Sequence, residues 1–231
     1  MIDSSSKDEG IRSAPIHRRL EAIKVLALAS MVLDHLGKIV LWWWMEPLHA
    51  AGRLALPLFA LIAGLRLAQS PPLWSKYLRR MLPWGLLAQP AFIVVADVEW
   101  WTLNILFTLA AGAAIDALIQ QRALLPGLIA VAVSPFCEFG VPGVLMVPTL
   151  AAIARRRPLA AAGACGPLAL VANLNLDPDI MVLNLAALFA APVAWRLLAR
   201  PLAVPRPPGW FYYGFYAGHL YLLWAWYHWV I

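Results

Sequence analysis

Long apolar runs, separated by short basic or acidic stretches, repeat from residue 22 to the end of the chain. The runs are apolar on all sides and do not alternate with polar positions, so helices are predicted and an outer-membrane barrel is not. They lie at about 22–45, 53–69, 81–97, 102–119, 123–137, 141–154, 158–173, 179–198 and 210–230. The fifth and sixth are short, with Pro135, Pro142 and Pro148 near their junction, and also read as one re-entrant hairpin. The count is therefore about nine, with eight to ten allowed. Connections are short, and no internal repeat or separate soluble domain is visible. The expected class is an all-α, polytopic transmembrane bundle. A polar cytoplasmic tail (1–20) leads into a single domain (21–231), and the first apolar run reads as an uncleaved helix, not as a signal peptide.

Composition sharpens this reading. The chain is 62% hydrophobic and 13% charged, more apolar surface than a soluble domain of 231 residues can hide. The net charge of +6 is distributed by topology. With the N-terminus inside, the inward connections hold Arg18, Arg19, Lys24, Arg66, Lys76, Arg79, Arg80, Arg122, Arg155, Arg156, Arg157, Arg196, Arg200 and Arg206. The outward ones hold Glu46, Asp97, Glu99, Glu138, Asp177 and Asp179, with only Lys38 and Arg53 as cations. This follows the positive-inside rule and predicts a multi-pass membrane protein in contact with lipid, not a nucleic-acid binder. Trp42–Trp44, Trp100, Trp101, Trp224, Trp226 and Trp229 form an outer aromatic belt, and Trp74, Trp195 and Trp210 an inner one. Cys137 and Cys165 fit neither a disulfide framework nor a metal-ligand spacing, and no metal is expected.

Polar residues inside the apolar runs are the candidates for chemistry. Asp34 and His35 lie in "ASMVLDHLGKIV". Asp34 is ten residues beyond Lys24, which at 1.5 Å per residue places it about 15 Å deep, near midplane. His219 is nine residues beyond Trp210, at about the same depth from the same side. If the first and last helices are neighbours, Asp34, His35 and His219 share one cavity. The structural alternative is an i,i+4 pair of Asp34 with Lys38 and a neutral core His35. His17, His49 and His228 read as interfacial. Arg53 either snorkels to outer headgroups or holds an oxygen in the cavity. Glu138, in "CEFGVPG", sits in a shaped turn on the outer face. Asn104 and Asn184 read as interhelical ties, and Asn104 is also placed with Glu138 and Tyr216 on the substrate side. Lys76, Arg79, Arg80, Arg155, Arg156 and Arg157 are topology determinants or a phosphate-binding face for an anionic cosubstrate.

The ordered blocks "ALASMVLDHLGKIV", "AGRLALPLFALIAG", "KYLRRMLPWGLLAQPAF", "LNILFTLAAG", "CEFGVPGVLMVP" and "YYGFYAGHLYLL" resemble the TraX family, including its TrbP-like conjugal transfer proteins. The resemblance covers about residues 22–230. The stretch Arg53 to Phe59, followed by "LRRMLP", is distantly similar to the type 3 membrane acyltransferases. What the resemblance implies is an inner-membrane N-acetyltransferase that moves acetyl from acetyl-CoA to the N-terminal amine of a processed pilin subunit. His35 is then the general base, with Asp34 orienting it or serving His219. His219 is the alternative base or a proton relay, and Arg53 polarises the carbonyl. Three other functions fit the same pattern: an acyltransferase for a glycan, lipid or small molecule, a proton-coupled transporter using Asp34 and His219, and a non-catalytic pilus assembly factor.

Overall fold

The computed structural model describes residues 5–41, 48, 51–69, 73–155 and 207–230. Among them there are seven α-helices and no strand. They are α1 (Ser5–Ile39), α2 (Ala55–Gln69), α3 (Leu73–Ala96), α4 (Ile105–Gln121), α5 (Leu124–Val133), α6 (Gly140–Ala154) and α7 (Phe211–Val230). A 3₁₀ turn, Ser134–Phe136, follows α5. The predicted segments at 158–173 and 179–198, with Asn184, lie outside the described residues.

The all-helical expectation holds, and the boundaries shift where local chemistry outweighs hydropathy. α1 runs unbroken across residue 20, so the polar tail and the first apolar run are one element. α3 begins at Leu73, eight residues before its apolar part, because "WSKYLRR" is itself a good helix-forming stretch. The membrane-spanning part of the expectation is not carried by these helices. Among the described residues, none is long and apolar enough to cross a membrane. The reason is plain in six of the seven. α2, α4, α5 and α6 have 15, 17, 10 and 15 residues, short of the roughly 20 a bilayer core requires. α3 spends its first turns on Lys76, Arg79 and Arg80. α7 is long enough, but Tyr, Trp and His side chains dilute its hydropathy.

The bundle is assembled around α4. It packs on α3, α5 and α6, while α2 lies against α6, α1 against α2 and α7, and α7 against α3. The α4–α6 crossing depends on small residues: a Cβ at Gly112 would stand 2.5 Å from the Val144 carbonyl oxygen. Ala110, Ala111, Ala113 and Ala114 continue that buried face. Close backbone approach of this kind gains dispersion contacts that larger side chains would block.

Two polar devices fix the region where α4 starts. Leu103 and Cys137 form an isolated parallel bridge, with Leu103 N–H donating to Phe136 O at 2.7 Å and Glu138 N–H to Leu103 O at 2.7 Å. This pins the turn before α6 to the turn before α4. Asn104 then caps α4: its side-chain oxygen accepts from Leu106 N–H at 3.0 Å. Its amide donates to Gly85 O and Gln89 Oε1, both at 2.8 Å. Asn104 is fully buried, so each bond replaces water that is not there. Asn104→Ala leaves Gly85 O and the Leu106 N–H without these partners and is expected to cost about 1–3 kcal/mol. Chemical unfolding of the two proteins in the same detergent measures it, and coincident midpoints would refute the tie.

Candidate functional site

The first and last helices are neighbours, and they bring two histidines into contact. His35 Nδ1 lies 3.1 Å from His219 Nε2, with ring centroids 5.2 Å apart. Both side chains are buried. The surrounding bonds assign the ring protons. His219 Nδ1 is 3.1 Å from the Phe215 carbonyl, which only accepts, so this nitrogen carries hydrogen. In the neutral ring, Nε2 of His219 is then an acceptor, and His35 Nδ1–H donates to it. His35 Nε2 is left with its lone pair. This is the arrangement of a base held by a second group, with an imidazole as the orienting partner. Phe215 stacks on His219 at 5.6 Å between centroids and 14° between planes, which fixes the ring further.

Asp34 lies next to His35 in α1 and has a partner of its own. It meets Lys38 at 3.1 Å, one turn along the helix. It faces a small cavity of about 30 Å³ together with His35, Gly52, Glu138 and Tyr216. That volume accommodates a water molecule or a small functional group. Gly52 makes this wall possible, since a Cβ there would stand 2.3 Å from Asp34 Cβ. Ser30 secures the same approach by donating to Ala51 O at 2.5 Å and Gly52 O at 3.1 Å.

Glu138 reaches this cavity because the Leu103–Cys137 bridge holds its turn in place, and the Ile105 N–H donates to its carboxylate. Enclosure of the carboxyl raises its pKa to about 7, with Lys38 and Arg53 pulling it back and Asp34 pushing it up. It is thus a carboxylic acid below about pH 7 and a carboxylate above, unlike an ordinary glutamate. Arg53 stands in the turn before α2, as one of the two cations acting on this carboxylate.

A second, larger cavity of about 320 Å³ opens at the other end. Lys24, Arg66, Lys76 and Arg80 line it, as do Tyr77 and Tyr213. Its apolar wall is Leu106, Leu109 and Met81. Ile105 and Tyr216 line both cavities. Of the predicted phosphate-binding set, Lys76 and Arg80 are on this wall. Arg79 is exposed and is not among its lining, and Arg156 and Arg157 lie outside the described residues. Lys24 and Arg66 were legible only as topology charges, and nothing in the sequence marked Tyr77 or Tyr213. Lys24 is also held by Glu21 at 2.8 Å, and Tyr212 donates to the other oxygen of Glu21 at 2.5 Å.

Arg155 is elsewhere and is occupied. It forms a two-pronged ion pair with Asp116, at 2.7 and 2.8 Å, and donates to Leu67 O at 3.0 Å. Its fork ties α6 to α4 and α2 and is not presented to either cavity. Asn104 likewise faces neither cavity: it serves as the cap and tie described above. Asp116, buried in an alanine-rich helix, was not among the residues the sequence singled out.

The sequence profile of the TraX protein family matches residues 19–226. Protein TraX of Escherichia coli is 32% identical over 219 residues, covering 88% of this chain and 85% of that protein. Protein TraX of Escherichia coli (strain K12) is 33% identical over 106 residues, 44% of this chain and 40% of the relative. The probable fimbrial assembly protein FimC, serogroup H1, of Dichelobacter nodosus is 32% identical over 149 residues, 56% of this chain and 60% of its own. No solved structure matches. A match of this length, spanning α1 through α7 and both histidines, settles the kinship: the chain belongs to the TraX protein family.

Proposed function

We propose that this protein is an acetyltransferase that transfers acetyl from acetyl-CoA to the N-terminal amine of a pilin-type subunit at the bacterial inner membrane. The observation that carries the reading is the His35–His219 pair, with the lone pair of His35 Nε2 left available and cavities of opposite character nearby. Acyl transfer to an amine requires removal of a proton as the C–N bond forms, and a neutral, oriented imidazole does this. The larger cavity suits a donor with phosphates at a cationic rim and a slender apolar arm inside. The smaller one, with Asp34 and Glu138, suits a cationic amine. A relative named as a fimbrial assembly protein supports a pilus-subunit acceptor. Membrane placement is supported by the bare apolar faces of α5 (Leu124, Leu125, Leu128, Ile129) and α7 (Leu222, Trp229), which need lipid cover.

The test uses purified protein in detergent with labelled acetyl-CoA and two peptides of a pilin N-terminus, one with a free and one with a blocked α-amine. Label is expected on the free amine only. Reversing two rim charges, Lys76→Glu with Arg80→Glu, is expected to raise KM for acetyl-CoA about tenfold or more while kcat moves little. Label on a glycan or lipid, with none on the peptide, would reassign the acceptor. No label on any acceptor would end the acetyltransferase reading.

A further inference from the structure

Tyr216 has a feature that packing does not explain. Its side chain is only 3% exposed, yet its hydroxyl has no hydrogen-bond partner among the described residues. The Ile105 N–H faces both the Glu138 carboxylate and the Tyr216 oxygen, and as a donor it offers nothing to the phenolic hydrogen. Leaving a buried donor unpaired costs about 1–3 kcal/mol, and a phenylalanine here would avoid it. A group kept in this state calls for an explanation, and a catalytic role is one. The position fits that explanation. Tyr216 is part of both cavity walls, and its ring centroid is 5.7 Å from that of His219, one turn along α7.

Resting on the acetyltransferase reading, we propose that the Tyr216 hydroxyl is a catalytic hydrogen-bond donor to the carbonyl oxygen of the acyl group in transit. Once its ammonium proton has been released to water, the amine nitrogen adds to the thioester carbon, and the carbonyl π pair moves onto oxygen, where the Tyr216 O–H meets the growing charge. The proton lost by nitrogen passes to His35 Nε2. The C–S bond then breaks with its electron pair on sulfur, and the thiolate takes that proton back from His35. The products are an amide and a thiol, with no net redox change. A donor aimed at the oxyanion and unpaired beforehand needs no rearrangement at the moment of reaction, which makes it effective.

The experiment measures kcat and KM for acetyl-CoA in wild type, Tyr216→Phe and Tyr221→Phe, in detergent, with thermal unfolding followed by tryptophan fluorescence. Tyr221 is the control, because its hydroxyl donates to Leu87 O at 2.9 Å away from both cavities. Tyr216→Phe is expected to lose about 10²–10³-fold in kcat with KM for the donor unchanged. Unchanged kcat beside an active wild type, or an effect confined to KM, overturns the assignment while the acetyltransferase reading stands. An inactive wild type defeats that reading, and this assignment with it. Should the phenylalanine variant not fold, 3,5-difluorotyrosine at position 216 preserves shape. Its more acidic phenol is a stronger hydrogen-bond donor, so kcat should change while KM for the donor does not. A kcat equal to that of wild type overturns the role.

Discussion

Replacing His35 with alanine is expected to lower the turnover of acetyl transfer by about 10²–10⁴-fold, the range that general acid–base catalysis supplies. The structure makes the direction specific. His35 Nε2 is the nitrogen left with a lone pair, because its Nδ1 is committed to His219 and His219 Nδ1 to Phe215 O. His219→Ala keeps that base but frees its ring, so a smaller loss is expected. The double variant should lose little more than His35→Ala alone, as groups acting as one unit are not additive. Turnover by label transfer, read beside unfolding midpoints, checks all three. Midpoints matter because His35 is only 4% exposed and its removal also leaves a cavity. Full activity in a folded His35→Ala protein would remove the imidazole from the chemistry altogether. Losses of equal size in both single variants would instead make the pair, and not either ring, the functional unit.

Asp116→Ala should be the most destabilising single change in the described structure, at about 3–5 kcal/mol. Asp116 and Arg155 have side chains only 5% and 12% exposed, and the guanidinium lies 2.7 Å from one carboxylate oxygen. Removing the acid leaves Arg155 with the Leu67 carbonyl and a charge that little water can reach. For a chain of this length that corresponds to a fall in Tm of about 10 °C. Asp116→Asn, which retains one acceptor, should fall in between. Asp116→Leu combined with Arg155→Leu should recover much of the loss, since desolvating an ion pair offsets most of its attraction. A Tm shift of only a degree or so for Asp116→Ala would mean that Arg155 is held loosely, and would return it to the set available for an anionic cosubstrate. The contrast with the rim variants is direct. Lys76 and Arg80 are exposed, so their replacement should change KM and leave Tm nearly alone.

The difference between Arg155 and Lys76 shows what one dimension of information carries. Hydropathy placed both on the same side of the chain, and the cavity rim does gather Lys24, Arg66, Lys76 and Arg80. The same pattern gave no hint that Arg155 is used up by Asp116, because the two are 39 residues apart and the pairing follows from how α4 and α6 cross. Asn104 repeats the lesson. Its place inside an apolar run marked it as a tie or a substrate contact, and only the approach of Gly85 and Gln89 on α3 made it a tie.

By itself, the sequence determined the all-helical class, the position of most described helices to within a few residues, and the level of the polar residues along the first and last helices. These quantities lie along helix axes, and a fixed rise of about 1.5 Å per residue converts numbering into position. Rotation about those axes, and the choice of neighbour, belong to packing. Gly52 and Gly112 set two of the close approaches, and the bridge between Leu103 and Cys137 delivers Glu138 to the cavity. The tertiary structure alone therefore decided that His219 meets His35 directly. It also decided that Tyr216 stands between two chambers with no hydrogen-bond partner for its hydroxyl among the described residues. Side chains on different helices meet only after backbone contacts have fixed how those helices turn toward one another, and no local pattern in the chain encodes that angle.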